Sequence, residues 1–323
     1  MKNNTQKNKL LLNLFIIIII LMIIIFFIYK ISNNVFTPPN NSKKSIEIII
    51  ARYNEDLKWT LEPPFNKYKY IVYNKGDNEE YEKTNILSTF NIKNEGKCDH
   101  TYLYHIYQNY NQLSDIVIFL PGCLNENYFK TAKSTLLLNL VEKYQEAFFL
   151  VDYKSKISIL SDLYYFKLDD YSSLSKVNSE KNEGIRFRKS KIRPFGKWYQ
   201  SNFDYQIQNI SLFGIFSVNK MDIYNHSQKD YFRYMSSLEG AINDELSHYY
   251  ERSWEAIVYP MKYTKVLNYT HNITTWTWYF YIIILKYYSH IKIDHVNLAY
   301  FNTIYWNFIY FVNSNMPILH KIK

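Results

Sequence analysis

The sequence is poor in glycine, cysteine and arginine. Its 323 residues include 7 Gly, 8 Pro and 2 Cys, too few for a collagen-like chain or a disulfide-stapled scaffold, and no heptad repeat is sustained. Only six of the 38 basic residues are Arg. Because nucleic-acid recognition favours clustered Arg, the net charge of +9 does not indicate a nucleic-acid partner. The sequence also contains no zinc-type Cys/His spacing, no Ser/His/Asp set and no phosphate-binding P-loop.

Hydrophobic residues, in contrast, are abundant, and a first group of them forms one long run near the N-terminus. Residues 10–28 are apolar except for Asn13 and would span roughly 28 Å as a helix, the thickness of a bilayer core. No small-residue cleavage site follows, so residues 10–29 are predicted to be a retained signal-anchor in a lipid bilayer rather than a cleaved signal peptide. Residues 1–9 would form a short tail before it. Residues 30–45, with Pro38-Pro39, are predicted to form a stalk.

The flanking lysines hardly discriminate between the two orientations of this predicted single-pass anchor. Three lysines precede the apolar run and three follow it before residue 45. We expect the N-terminus in the cytoplasm and the following domain on the lumenal or external side.

Short apolar runs alternate with helical stretches from residue 46 onward. Residues 46–51 form a β-branched run that ends in the polar stretch 52–56, as expected of a buried parallel strand and its loop. Asp99 is predicted to cap a helix. Further strands are predicted at residues 68–73, 115–120 and 147–151. This alternation predicts an α/β domain over residues 46–262, a Rossmann-type mixed sheet flanked by helices, with ligands at the carboxyl ends of the strands.

A late stretch, residues 244–257, has the periodicity of an amphipathic helix. One arc is apolar: Leu246, Tyr249, Tyr250, Trp254 and Ile257. The opposite arc is polar: Asp244, Glu245, His248, Glu251, Arg252 and Glu255. The polar arc is typical either of a charged solvent face or of a site that holds a general base. Residues 263–323 are predicted to form an aromatic-rich helical extension.

Several stretches together resemble a known family: residues 51–59, 70–76, 94–106, 113–119, 193–199 and 247–254. The chain is similar there to a family of unknown function found in fungi and large DNA viruses. Members of that family look like nucleotide-diphosphate-sugar glycosyltransferases of the GT-A type. The resemblance implies a GT-A-like fold in a viral or host endomembrane. It also implies transfer of a sugar from a nucleotide-sugar to the hydroxyl of a glycan acceptor. The alternative is a non-catalytic glycan-binding or virion membrane module that keeps the fold.

The resemblance also implies roles for individual residues. Glu251 would be the general base that deprotonates the acceptor hydroxyl, with His248 and Asp244 beside it on the same helix. The residues expected to bind the donor are Arg52, Asn54, Glu55, Asp56, Asn74, Asn94, Lys97 and Arg252.

Two departures from the GT-A pattern concern the donor site. The carboxylate that ends the second strand in that pattern is replaced by Asn74, and the metal-binding Asp-x-Asp is replaced by residues 120–123, Leu-Pro-Gly-Cys. Because Mn²⁺ or Mg²⁺ on a diphosphate needs hard oxygen ligands, the metal requirement stays open, with Glu126 and Asp152 as replacement ligands.

The two cysteines, Cys98 and Cys123, are expected at one end of the sheet. Their pairing is open between a disulfide and two free thiols.

Overall fold

The structure is a computed structural model that describes residues 43–169 and 187–269. Its strands are β1 (Ile46–Arg52), β2 (Tyr70–Asn74), β3 (Ile86–Asn91), β4 (Ile116–Pro121), β5 (Ala147–Val151), β6 (Tyr153–Lys154), β7 (Asn209–Ile210), β8 (Phe216–Asn219) and β9 (Thr264–Asn268). Its helices are α1 (Lys97–Asn109), α2 (Tyr128–Tyr144), α3 (Ile159–Leu163), α4 (Phe195–Asn202), α5 (Lys220–Ile223), α6 (Gln228–Ser237), α7 (Glu245–Glu251) and α8 (Trp254–Ile257).

The central sheet has five strands in the order β3-β2-β1-β4-β8. The first four are parallel, and β8 is antiparallel to β4. The chain therefore leaves β1 on one side toward β2 and later returns to its other side as β4. In an open parallel sheet this change of direction opens a crevice at the carboxyl ends of the two strands, here β1 and β4.

Both faces of the sheet are covered, so β1 is a nearly continuous apolar run rather than an alternating one. Ile49 faces a core that contains residues of α1, α6 and α7. Ile50 faces a second core that contains Leu136, Leu137 and Leu140 of α2. The predicted α/β class, a parallel-rich sheet flanked by helices, is confirmed.

Two shorter pairings extend this architecture. Strand β5 pairs in parallel with β9, and β6 pairs antiparallel with β7. The side chain of Ser217 in β8 joins β5 to the central sheet, because its hydroxyl accepts the Phe148 amide at 2.7 Å and donates to the Phe148 carbonyl at 3.1 Å.

Strand β9 lies where the sequence analysis predicted the helical extension to begin. Its five residues pair along the whole of β5, so the α/β domain continues beyond the predicted boundary at residue 262. The predicted anchor at residues 10–29 and most of the predicted extension lie outside the described residues. Within the two described segments, no helix is long and apolar enough to cross a membrane.

The prediction of one continuous amphipathic helix over residues 244–257 is wrong. The helix stops at Glu251, and α8 starts at Trp254 after the Ser253 hydroxyl has bonded back to the Tyr249 carbonyl at 2.8 Å. Of the two alternatives for the polar arc, the solvent face does not hold at its start, because Asp244, Glu245 and His248 are buried. Arginines from residues 188 and 193 cover the start of that arc and pair with its carboxylates.

The predicted cap of α1 also differs. Gly96, at φ +53°, is the N-cap residue, and Asp99 lies buried in the first helical turn. A Cβ at position 96 would come 2.6 Å from the Leu238 side chain. Glycine is therefore favoured by the left-handed backbone and required by the close approach of Leu238, the residue that follows α6.

Candidate functional site

Arg52, the last residue of β1, fastens the loops at the carboxyl ends of β1 and β2. Its side chain is fully buried. Nε donates to the Glu55 carbonyl at 2.7 Å, and Nη1 donates to Asn74 Oδ1 and to the Asn78 carbonyl. The guanidinium also lies 3.9 Å from the centre of the Tyr81 ring. Burial lowers the pKa of Arg52, with Glu55 the strongest opposing charge. Arg52, predicted to bind the donor, thus contacts mainly the protein itself.

Asn54 and Asn74 belong to the same network. Asn54 has φ +66° and accepts the Asn78 amide at 2.8 Å. Asn74 donates to the Gly76 carbonyl at 3.0 Å and to Asn91 Oδ1 at 3.1 Å. A Cβ at position 76 would come 2.1 Å from Asn54 Oδ1, so the turn after β2 accommodates only glycine.

Glu55 lies between the carboxyl ends of β1 and β4, at the change of direction in the sheet. Its carboxylate accepts the Tyr53 amide, and a Cβ at position 122 would come 2.7 Å from its Oε2. Burial raises the pKa of Glu55 to about 7. Asp56, by contrast, is exposed and accepts the amide of the neighbouring Lys58 at 3.0 Å.

Two lysines bring the end of β2, the start of α1 and helix α7 together. Lys75 donates to the carbonyls of Glu95 and Lys97, both at 2.5 Å. Lys97 Nζ lies 2.8 Å from His248 Nε2. Burial lowers the pKa of each lysine to about 8. Burial and the Lys97 charge lower the pKa of His248 to about 2, so its neutral ring accepts a hydrogen bond from the Lys97 ammonium at Nε2.

Asp99 and Glu251 provide the acidic groups beside Lys97. The Trp254 indole donates to Asp99 Oδ1 at 2.7 Å. Burial, followed by the nearby charge of Glu251, raises the pKa of Asp99 to about 8. Glu251 accepts the Phe213 amide at 3.0 Å, and its side chain is 25% exposed. Glu251 therefore lies close enough to Asp99 and Lys97 to change the pKa of both.

Arg252 and Asp244 complete this group, which we call the carboxyl-edge cluster: Lys75, Lys97, Asp99, Asp244, His248, Glu251 and Arg252. Arg252 Nη1 donates to the His248 carbonyl at 2.8 Å, and the guanidinium lies 4.2 Å from the centre of the Phe166 ring. Asp244 caps α7 by accepting the Ser247 amide at 3.1 Å and pairs with Arg188. Its charge raises the pKa of Lys97 against the effect of burial. Asp244 therefore stabilises α7 and the Lys97 ammonium.

The remaining predicted residues are distributed around these groups. The Asn94 side chain hydrogen-bonds to the Tyr53 hydroxyl. Both cysteines are free thiols, and Lys130 Nζ lies 2.9 Å from Cys123 Sγ.

The two predicted metal ligands lie in different surroundings. Glu126 is exposed, whereas Asp152 forms a buried ion pair with Lys133. Among the residues that the structure describes, no group of three or more His, Cys, Asp or Glu side chains is placed to hold a metal ion.

Three buried polar residues, Asp99, Lys75 and Lys133, were not predicted as part of the site. The signal for Asp99 was present: it precedes Leu103 by four residues and Ile106 by seven, on the buried face of α1. Lys133 likewise lies four residues before Leu137 and seven before Leu140, on the buried face of α2. A charged residue on an apolar helical stripe needs a buried partner, and this makes it a candidate for a site.

A comparison with protein families matches the same part of the chain that forms this fold. No curated protein matches the sequence. A family model matches residues 48–269, a range that runs from β1 through β9 and includes the whole carboxyl-edge cluster. The chain belongs to this family, described as a protein of unknown function, DUF3431.

Proposed function

We propose that the protein is a membrane-anchored transferase of the GT-A type that moves a sugar from a nucleotide-sugar to an acceptor hydroxyl. One observation carries the proposal: a carboxylate and several cations from distant parts of the chain meet at the carboxyl edge of the sheet. Lys97 and His248, 151 positions apart, are in contact there. Glu251 lies close enough to act on both Lys97 and Asp99. Convergence of acid, base and cation groups at this edge is what group transfer requires.

Each group has a role in this reaction. Glu251, half-buried and held by the Phe213 amide, accepts the proton of the acceptor hydroxyl. Lys97 and Arg252 neutralise the charge that develops on the leaving diphosphate. Glu55 and Arg52 shape the donor site between β1 and β4, Arg52 by holding the loops rather than by contacting the ligand.

The residues present do not fit a divalent metal on the diphosphate. The position of the Asp-x-Asp holds Pro, Gly and Cys, and the Asp152 carboxylate is engaged by Lys133. We therefore assign charge neutralisation to the cations of the chain, and a test with Mn²⁺ decides the point.

The membrane part of the proposal rests on the sequence. The apolar run at residues 10–29 would anchor the chain by a single pass, with the α/β domain on the lumenal or external side of a viral or host endomembrane.

A second function, a non-catalytic glycan-binding or virion membrane module, has one specific observation in its favour. Arg52 and Asn74, which occupy donor-binding positions, bond to each other and to backbone carbonyls of the chain. A donor site closed in this way would leave a fold that recognises a glycan without transferring a sugar.

Ligand-induced thermal stabilisation of the full-length protein distinguishes the two functions. We would screen nucleoside diphosphates, nucleotide-sugars and soluble glycans, each with and without Mn²⁺. At 100 times its dissociation constant a ligand stabilises the fold by about 2.7 kcal/mol, or about 5–10 °C in melting temperature for a domain of this size. Stabilisation by one nucleotide without Mn²⁺ supports the proposal. Stabilisation only with Mn²⁺ contradicts the assignment of charge neutralisation to Lys97 and Arg252, and stabilisation only by glycans supports the binding module.

Turnover of the nucleotide-sugar that binds then tests Glu251. The Glu251→Gln variant should keep nucleotide binding and lose about 100-fold to 10,000-fold in transfer rate, the contribution of a positioned general base. Glu239→Gln, at an exposed position, is the matched control. Full turnover by Glu251→Gln would remove Glu251 as the base.

A further inference from the structure

A fully buried ion pair lies behind the carboxyl-edge cluster. Lys133 on α2 is inaccessible to solvent, and its Nζ contacts the carboxylate of Asp152, the residue after β5. The Asp152 side chain is only 3% exposed. Desolvation offsets most of the attraction in such a pair, so an apolar pair of similar size often stabilises a fold equally well. The polar contacts that the pair makes with its surroundings are what an apolar pair would not replace.

Three of those contacts are with one loop, residues 211–214, which connects β7 to β8. Lys133 Nζ donates to Ser211 Oγ and to the Leu212 carbonyl, both at 2.9 Å. Asp152 Oδ2 accepts the Leu212 amide at 2.7 Å. The next two residues, Phe213 and Gly214, have φ values of +68° and +64°. The ion pair thus holds the first half of a loop whose second half has an uncommon, left-handed backbone.

The same loop contacts one oxygen of the Glu251 carboxylate, and the other oxygen pairs with Arg252 at 3.3 Å. The Phe213 amide donates to Glu251 Oε1 at 3.0 Å, and the Tyr102 hydroxyl donates to the Gly214 carbonyl at 2.9 Å. We propose that Lys133 and Asp152 are positioning residues, which hold loop 211–214 so that the Phe213 amide keeps Glu251 beside Lys97 and Asp99. The value of that orientation rests on the function proposed above, in which Glu251 is the base.

The Phe213 amide proton reports this arrangement directly, because a hydrogen bond to a carboxylate moves an amide proton resonance downfield. We would label phenylalanine with ¹⁵N in the full-length protein and assign the Phe213 signal with the Phe213→Leu variant. Glu251→Gln should move the signal upfield, and this shift is the reference for loss of the hydrogen bond to the carboxylate. The double variant Lys133→Met/Asp152→Leu, which replaces the ion pair by apolar side chains, should produce a similar upfield shift and melt closer to wild type than either single variant.

The matched control is the ion pair of Lys67 with Glu142, which is exposed and also involves α2. Lys67→Met/Glu142→Leu should leave the Phe213 signal unchanged. If the double variant at the buried pair folds and keeps the wild-type Phe213 signal, the positioning proposal is overturned. If that variant does not fold, Ser211→Ala, which removes one of the contacts to Lys133, should shift the signal in the same direction by a smaller amount. An unchanged signal in Ser211→Ala would then overturn it.

This measurement is independent of any nucleotide. A wild-type protein that binds no nucleotide but shows the expected Phe213 shifts would reject the proposed transferase and leave the positioning of Glu251 intact. If the protein binds a nucleotide but the Phe213 signal does not change in the variants at the buried ion pair, the positioning proposal is rejected and the proposed transferase is kept.

Discussion

Buried and half-buried carboxylates in the described part of the chain include two kinds, and the difference separates a structural role from a candidate functional one. In the first kind the carboxylate accepts several N–H groups. Asp222, for example, accepts the backbone amides of Lys262, Tyr263 and Thr264. Glu255 accepts two backbone amides and the Asn209 side chain. Such carboxylates hold loops and strands in place, and their hydrogen-bonding capacity is used within the protein.

In the second kind, at the carboxyl edge of the sheet, the carboxyl group has fewer donors and stands beside other titratable groups. Asp99 accepts the Trp254 indole, and Glu251 accepts the Phe213 amide and the Arg252 guanidinium. The pKa of Glu55 rises to about 7 and that of Asp99 to about 8, mainly through burial. Strongly shifted groups that gather at a ligand-binding edge are candidates for catalysis or binding. The comparison therefore predicts that the first kind controls stability and the second controls pH dependence and ligand binding.

The largest expected effect is on stability, at a carboxylate of the first kind. Asp222→Ala leaves three amides before and at the start of β9 without their acceptor, two of them half-buried and that of Thr264 buried. We expect the free energy of unfolding to fall by about 3 to 5 kcal/mol, because buried donors lose a charged partner. Urea denaturation measures the change. Asp77→Ala, at an exposed position, is the control, and an equal small loss in both variants would contradict the assignment.

The next effect is on the pH dependence of stability, at Asp99. The ordinary pKa of an aspartate is 3.8, and that of folded Asp99 is about 8. Between these values the folded protein keeps a proton that the unfolded chain has released, so this group makes stability decrease as the pH rises. Asp99→Asn has no proton to release. Relative to this variant, the wild type should lose up to about 1.4 kcal/mol per pH unit between pH 4 and pH 8.

Above pH 8, Lys75 and Lys97 should give the pH dependence of stability the opposite sign in the same experiment. Burial lowers the pKa of Lys75 and Lys97 to about 8 from 10.5, so between these values the unfolded chain holds protons that the folded lysines have released. Stability contributed by these groups therefore rises with pH in that window, in the wild type and in Asp99→Asn alike. For Asp99 itself, the contradicting result lies between pH 4 and pH 8. If the unfolding free energies of wild type and Asp99→Asn change in parallel with pH there, Asp99 is ionised in the folded protein.

A third effect concerns ligand affinity at the carboxyl-edge cluster. Lys97→Met removes an ammonium assigned to the diphosphate. It should weaken binding of the nucleoside diphosphate about tenfold to 100-fold, the value of one charged hydrogen bond. Titration calorimetry of the full-length protein measures the affinity. Lys93→Met removes the same charge from an exposed position four residues earlier and is the control. An equal loss of affinity in both variants would show that Lys97 acts only through the net charge of the protein.

Four of the nine described strands, β1, β2, β4 and β5, were predicted from the sequence because their signal is local, whereas β3 and β6 to β9 were not. Residues 147–151 were predicted as a strand and form β5 with the same bounds. A short apolar run bounded by polar residues is typical of a buried strand. The end of β1 was likewise predicted correctly to lie beside a group of polar side chains.

The candidate site depends on contacts that periodicity does not reveal. The polar arc of residues 244–257 was expected to be continuous, yet Arg188 and Arg193, more than 50 residues earlier, bury its start by pairing with Asp244 and Glu245. Asp99 has its donor at Trp254, 155 positions away. Pairing over such distances is decided by the topology of the sheet, so the sequence indicated which residues were charged but not which of them would be buried together.

The smallest expected effect separates two neighbours in the loop after β1. Glu55 and Asp56 were both predicted to bind the donor, but Glu55 is buried against Gly122 whereas Asp56 is exposed and contacts only Lys58 through its side chain. Asp56→Ala should stay within about 0.5 kcal/mol of wild type in unfolding free energy, as expected for an exposed residue with one weak ion pair. It should also leave nucleotide affinity unchanged in the same calorimetric titration. Glu55→Gln, in contrast, should flatten the pH dependence of that affinity around pH 7, because the carboxyl group titrates there. A loss of affinity in Asp56→Ala would place the ligand on the outer side of this loop and move the donor site away from Glu55.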